Sequence, residues 1–183
     1  MRQYHQQHQE WAHLPMDQGV RREAVPPQPV LGAGDDRMVC QWDGATKCGS
    51  HSAGGMVLLD QEGQTIIAHG TQYPVVDDPM VVELLVLREA ILWCLGMGLS
   101  AVRFEGDAKV VIDKVLQADN RDSRMGAILE EVIGYLSVHR GLSVRFVGRR
   151  NNRVALRVAR KALLLYPAAS RCFDFNGWLR ARM

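Results

Sequence analysis

The sequence predicts an α/β domain with a mixed five-strand sheet and helices on its faces, in the order β-β-β-α-β-α-α-β-α. Three short apolar runs separated by turn residues come first, and strand-like and helix-like segments alternate after them. The most apolar window, residues 81–99, contains Glu83, Arg88 and Glu89. Charges within such a window indicate a buried core helix rather than a membrane span.

The first three strands are predicted at residues 38–43, 54–60 and 65–71. Their connections are short, whereas parallel neighbours need a crossover of about a dozen residues or more, so these strands should form an antiparallel meander. Residues 1–37 lack hydrophobic periodicity and are rich in Gln, Pro and Gly. This composition is typical of a linker-like or disordered arm.

The second part of the chain alternates between helices and strands. Helices are predicted at 80–97, 108–117, 124–139 and 152–165, and strands at 101–107 and 143–147. Right-handed crossovers would then place the fourth strand parallel to the first. We therefore expect one domain over residues 38–165, followed by an irregular tail over 166–183.

The distribution of charge favours a polyanionic partner. The formal net charge is only +2, but from Arg140 onward the chain has many basic residues and the single acid Asp174. The four cysteines show no spacing typical of a zinc site or a disulfide framework, which indicates reduced thiols. The polar start of the chain lacks the apolar segment of a signal peptide, so we expect an intracellular protein without membrane association.

Three carboxylates are predicted to converge. Singly, Asp43 could begin a turn, Glu83 could complement a helix dipole and Asp107 could cap a helix. In the predicted topology, however, Asp43 and Asp107 end neighbouring parallel strands, and Glu83 lies on an apolar helix where a charge needs a partner. Such a cluster requires a cation, and oxygen ligands favour Mg²⁺ or Mn²⁺. A pair of such ions can act on a phosphodiester.

Several short motifs occur in a specific order. They are Trp42-Asp43-Gly44-Ala45, Ser52-Ala53-Gly54-Gly55, Glu83 followed by Leu87-Arg88-Glu89-Ala90, Phe104-Glu105-Gly106-Asp107 with Val110-Val111, and Phe146-Val147-Gly148-Arg149 with Asn152 to Ala155. Over residues 38–165 this pattern resembles the plant reverse-transcriptase-like branch of the ribonuclease H family. The resemblance implies the RNase H fold and two-Mg²⁺ hydrolysis of the RNA strand in RNA–DNA hybrids.

The resemblance also implies which residues form the site. Asp43, Glu83 and Asp107 match three of the family's four metal-binding acids, while Leu156 stands at the fourth position and cannot ligate an ion. One ion of the pair should therefore bind weakly, which predicts catalysis that is slow, dependent on Mn²⁺ or absent. The predicted nucleic-acid-binding residues are Arg149, Arg150, Asn152, Arg153 and Arg157.

Two other functions stay open. One is a binding module that has kept the RNase H shape without turnover. The other, less favoured, is a related 3′-to-5′ exonuclease, in which a second acid follows two residues after the first-strand Asp, where this chain has Ala45. In the plant-like branch such domains often belong to a longer retroelement-derived polyprotein, and the linker-like start suits that origin. The sequence does not indicate an oligomeric state.

Overall fold

The computed structural model describes residues 37–47, 51–118, 125–165 and 172–180. Its sheet consists of β1 (Met38–Lys47), β2 (His51–Leu59), β3 (Thr65–Tyr73), β4 (Val102–Gly106), β5 (Leu142–Phe146) and β6 (Cys172–Asp174). The spatial order of the strands is β5-β4-β1-β2-β3-β6. The predicted α/β architecture with a mixed sheet is thereby confirmed, with one strand more than expected.

Strands β1 and β2 form a longer antiparallel hairpin than the sequence predicted. β1 continues to Lys47 and pairs with β2 throughout, with Asp43 opposite Gly55. The prediction that β1 ends at Asp43 is therefore wrong. Gly44 takes no part in a turn, because β2 continues to hold the backbone of β1 beyond it.

The parallel part of the sheet lies on the other side of β1. β4 pairs in parallel with β1, from Met38 opposite Val102 to Gln41 opposite Glu105, and also with β5. The pairing between β1 and β4 stops just before Asp43 and Asp107. Both carboxylates therefore stand where the two strands diverge, which is where ligand sites form in open α/β sheets.

The helices of the main domain are α1 (Pro79–Gly96), α2 (Lys109–Gln117), α3 (Gly126–Val138) and α4 (Arg153–Leu164). α1 begins at Pro79, and the carboxylate of Asp78 accepts hydrogen bonds from the backbone N–H groups of Met80 and Val81. α1, α2 and α3 pack over one sheet face and bury Trp42 and Trp93. An Arg88–Glu131 ion pair joins α1 to α3. Among the described residues, none of the helices has the length and apolar character needed to cross a membrane.

Helix α4 covers the opposite face of the antiparallel strands. Its buried stripe, Ala155, Val158 and Ala162, packs against Ala53 and Val57 of β2. Small residues at this contact let the helix backbone approach the sheet closely. The approach brings the start of α4 alongside the end of the β1–β4 pairing.

The C-terminal segment adds the sixth strand. The sequence predicted an irregular tail over 166–183, but Cys172–Asp174 pair with β3 as β6, and a short helix α5 (Asn176–Arg180) follows. A strand of three residues is too short to show an alternation of apolar and polar residues, so the sequence pattern could not predict it. Phe175 is buried between the sheet and α4 and anchors the segment. The predicted N-terminal arm lies outside the described residues, apart from Arg37.

Candidate active site

Asp43 and Asp107 are brought together by one buried amide. The side-chain Nδ2 of Asn152 lies 2.9 Å from Asp43 Oδ2 and 2.9 Å from Asp107 Oδ1. The same nitrogen lies 2.9 Å from the carbonyl oxygen of Trp42. Asn152 is fully buried, so its position depends on the packing of α4 against β1 and β2. The structure thus brings Asp43 and Asp107 together as predicted, although Asp43 lies within β1 and not at its end.

Glu83 faces the same region from α1. Its Oε2 accepts a hydrogen bond of 3.1 Å from the backbone N–H of Gly44, the residue after Asp43. A side chain at Gly44 would be tight, because an added Cβ would lie 3.0 Å from Val82 Cγ1 and 3.1 Å from the Glu83 Cδ. The glycine thus allows the glutamate to approach the strand, and all three predicted acids border one region.

Burial and like charge raise the pKa values of two of these acids. The pKa of Asp43 rises to about 9, first because of burial and then because of the negative charges of Glu83 and Asp107. The pKa of Glu83 rises to about 7 for the same reasons, opposed by the Gly44 hydrogen bond and by Arg149. Without a cation, the cluster therefore retains protons at neutral pH.

Arg149 brings a positive charge to the edge of the cluster. Its Nη1 lies 3.7 Å from Asp107 Oδ2. The backbone beside it is held in place, since the Asn151 N–H donates to Gly148 O at 2.8 Å and Asn151 O accepts from Gln41 Nε2 at 2.7 Å. Gln41 is buried on β1, two residues before Asp43, and its role was not predicted.

Leu156 lies in the first turns of α4 and is partly exposed. Its backbone N–H bonds to the carbonyl oxygen of Asn152, as a regular helix requires. No acid occurs between Arg149 and Arg160, so the start of α4 contributes an amide and cations to the site rather than a carboxylate.

Glu105 is a further acid near the site and is itself buried, and sequence reasoning missed its role. It lies on β4, two residues before Asp107, and accepts from Arg103 Nε at 3.0 Å and from Arg145 Nη2. Two guanidinium groups therefore satisfy this carboxylate. We therefore assign Glu105 to the structure of the sheet and not to the cluster, which consists of the three carboxylates of Asp43, Glu83 and Asp107.

The oxygen ligands of the site are of the type that a hard divalent ion prefers. In their present positions, however, the side chains are too far apart to chelate an ion. Over the described ranges, no three His, Cys, Asp or Glu side chains lie close enough together to hold an ion. The three carboxyl groups nevertheless offer the oxygen ligands that Mg²⁺ and Mn²⁺ prefer. The raised pKa values of Asp43 and Glu83 reflect burial first and nearby negative charge second, and the neighbouring positive groups do not compensate these effects fully. Side-chain rotation toward a cation would relieve that repulsion.

The predicted nucleic-acid-binding residues separate into two groups. Arg149, Arg150, Arg153 and Arg157 are exposed, along the loop and one side of α4. The guanidinium of Arg157 lies over the ring of Trp178, 5.9 Å from its centroid, so α5 supports this side chain. Asn152 corrects the prediction: its side chain is fully buried against the carboxylates and has no surface to offer a nucleic acid.

The strand order, the carboxylates of β1, β4 and α1 and the position of α4 define a ribonuclease H-like domain. A family model described as reverse transcriptase-like matches residues 41–162. The chain belongs to this reverse transcriptase-like family. The plant branch stays a prediction. A comparison with curated proteins gives no match.

Solved structures with this fold include cellular and viral proteins. RNase H1 of the halophilic archaeon Halobacterium salinarum superposes with a TM-score of 0.64 at 22% identity, covering 69% of this chain and 97% of that one. LC11-RNase H1 from compost, in complex with an RNA/DNA hybrid, gives 0.59 at 16% identity, covering 69% and 99%. The foamy viral protease-reverse transcriptase, also in complex with a hybrid, gives 0.64 at 12% identity, covering 81% of this chain and 23% of that one. At these identities the likeness shows the RNase H fold.

Proposed function

We propose that the chain is an RNase H-type endonuclease that hydrolyses the RNA strand of RNA–DNA hybrids. One observation carries the proposal. Asp43 and Asp107 stand side by side where β1 and β4 diverge, both held by the buried amide of Asn152, and Glu83 faces them from α1. This arrangement of carboxylates lies beside a row of exposed arginines, which suits a polyanionic substrate.

Asp43, Glu83 and Asp107 would hold Mg²⁺ or Mn²⁺. Such an ion, when bound, supplies an acidified water and neutralises charge on the phosphodiester. The chain's own residues set the geometry: the Gly44 N–H holds Glu83 against β1, and Asn152 fixes the carboxylates of Asp43 and Asp107 relative to each other. Because no acid stands at Leu156, a second ion of a two-metal site would bind weakly.

The arginines of the loop and of α4 would bind the phosphate backbone. Arg153 and Arg157 are four residues apart on α4, so they lie on one side of that helix, and Arg149 lies in the turn before it. Contacts of this kind do not select a sequence. Recognition of the hybrid would rest on its A-like shape and the 2′-hydroxyl, and binding would weaken as salt rises.

Cleavage of a labelled RNA–DNA hybrid tests the proposal. The purified chain should cut the RNA strand in Mg²⁺ or Mn²⁺, and the Asp43→Asn variant should lose at least about 100-fold in rate, since it loses an ion ligand. The readout is product formation on a denaturing gel, with an all-DNA duplex as the control substrate. Equal rates for both proteins would indicate a contaminating nuclease and contradict the proposal.

The Leu156→Asp variant should be faster than the wild type. A carboxylate at this position would add a ligand for the weak ion, so we expect a rate increase of about tenfold or more and a lower Mn²⁺ requirement. Leu156→Asn, which has similar size and no charge, is the control. An unchanged rate in Leu156→Asp would show that the missing acid does not limit turnover.

A catalytically inactive nucleic-acid-binding module is the second candidate. The absence of an acid from the start of α4 and the contact of Arg149 with Asp107 favour it, because both reduce the attraction for two cations. This candidate predicts hybrid binding without cleavage in either ion. The 3′-to-5′ exonuclease ranks lower, since Ala45 on β1 supplies no second acid.

The wider setting of the domain also belongs to the proposal. We infer a domain over residues 38–165, with a linker-like arm at 1–37, in an intracellular protein of the plant-like, retroelement-derived branch. The matched family, described as reverse transcriptase-like, and the viral protease-reverse transcriptase among the fold relatives support an origin in a longer polyprotein.

A further inference from the structure

Arg149 differs from the other exposed arginines because it touches the carboxylate cluster. Its Nη1 lies 3.7 Å from Asp107 Oδ2, and 67% of its side chain is exposed. The guanidinium therefore borders both the cluster and solvent. This group brings a planar positive charge that can pair with carboxylate or phosphate oxygens.

The backbone restricts where this guanidinium can go. Arg149 begins a single 3₁₀ turn, Arg149–Asn151, which is closed by the hydrogen bond between Asn151 N–H and Gly148 O at 2.8 Å. The side chain of Gln41 holds the same turn at Asn151 O, and the next residue is the fully buried Asn152. The Cα of Arg149 is thus tied to β1 and to the cluster through its neighbours.

The charges of the site favour a single divalent ion. Once a bound ion has displaced their protons, the carboxylates of Asp43, Glu83 and Asp107 carry three negative charges, and Arg149 offsets one of them. One divalent ion neutralises the remainder. A second ion would leave a net positive charge of two beside Arg149, and Leu156 supplies no ligand for it.

On the basis of the metal-dependent function proposed above, we propose that Arg149 takes the electrostatic place of a second cation. The site then binds one divalent ion on the three carboxylates. The guanidinium neutralises Asp107 in the free protein and contacts the phosphodiester when the hybrid is bound. Arg149 is in this sense a catalytic residue, whereas Arg150 and Arg153 only bind the backbone of the substrate.

Titration with Mn²⁺, with the free ion followed by electron paramagnetic resonance, tests the inference on the full chain without substrate. The wild type should bind one ion. Arg149→Ala should bind that ion several-fold more tightly, because a repelling charge is removed. Arg150→Ala removes the same charge one residue further along the exposed turn and should change the Mn²⁺ affinity less than twofold. Arg149→Lys keeps the charge, so its Mn²⁺ affinity should stay close to that of the wild type. Arg149→Ala combined with Leu156→Asp should bind two ions.

A cleavage assay at saturating Mn²⁺ separates this role from damage to the fold. Arg149→Ala should lower kcat at least about tenfold although it binds the ion more tightly, whereas a distorted site would lose both properties. Two ions on the wild type, or equal Mn²⁺ affinity for Arg149→Ala and Arg150→Ala, would overturn this inference alone. Absence of any bound ion would overturn it together with the proposed metal chemistry.

Discussion

Replacement of Asp43 by Asn is expected to stabilise the metal-free protein by about 3 kcal/mol at pH 8 while it abolishes cleavage. Asp43 is 3% exposed, and its pKa is raised to about 9 by burial and by the charges of Glu83 and Asp107. The wild type must therefore bind a proton or bury a repelled charge at this pH. The amide removes that cost, and its oxygen still accepts the hydrogen bond from Asn152.

The raised pKa of Asp43 also predicts how the unfolding free energy of the wild type changes with pH. Between the ordinary pKa of 3.8 and the raised value of about 9, the folded wild type holds a proton that the unfolded chain releases. Its unfolding free energy should therefore fall as pH rises through this window, since the native state binds more protons. The Asp43→Asn variant should show a flatter profile and should differ little from the wild type below about pH 4.

Urea unfolding in EDTA from pH 4 to pH 9 measures the difference. Asp113→Asn is the matched control, because Asp113 is partly exposed on α2 and forms an i, i+4 ion pair with Lys109. The unfolding free energy of Asp113→Asn should stay within about 0.5 kcal/mol of the wild-type value. In Mg²⁺ the difference in unfolding free energy between Asp43→Asn and the wild type should become smaller, because the ion stabilises only the protein that binds it. A lower stability for Asp43→Asn at pH 8 would contradict the assigned electrostatics.

The three acids could be proposed as a cluster from the sequence because their combination is informative, although each one taken singly has a structural explanation. The periodicity predicted strands that end near Asp43 and Asp107, and the crossover rule made those strands parallel neighbours. Glu83 was conspicuous as an acid in the most apolar helix. The proximity of the three acids could then be inferred from the order of the strands alone. Short connections and the right-handed crossover determine that order.

Other features of the site depend on contacts between distant parts of the chain. The roles of Asn152 and Gln41 arise from pairings across more than a hundred residues, which no local pattern encodes. Charge patterning placed Arg149 among the binding residues, but its proximity to Asp107 depends on the course of the turn before α4. The length of β1 was underestimated because an Asp-Gly pair is typical of turns, whereas here β2 keeps the strand extended.

The Gly55→Ala substitution is expected to destabilise the protein by about 3 kcal/mol. An added Cβ at Gly55 would lie 2.4 Å from the backbone nitrogen of Ala159 and 2.5 Å from the carbonyl oxygen of Ala155. Both atoms belong to the backbone of α4, so no side-chain rotation relieves the overlap, and the helix must move away from β2. Urea unfolding checks the loss. Gly96→Ala is the control, since its Cβ would meet nothing within 4 Å, and it should be neutral or slightly stabilising.

The same substitution should also impair the site, because Gly55 is paired with Asp43 across the β1–β2 hairpin. A shift of α4 away from β2 withdraws Asn152 from Asp43 and Asp107, which then lose the amide that holds them together. We expect Mn²⁺ affinity to fall about tenfold or more in Gly55→Ala under conditions where the protein is still folded, and to remain unchanged in Gly96→Ala. Unaltered Mn²⁺ binding in a destabilised Gly55→Ala protein would show that the carboxylates keep their arrangement without the close contact of α4. The closeness of α4 to the sheet would then serve stability alone.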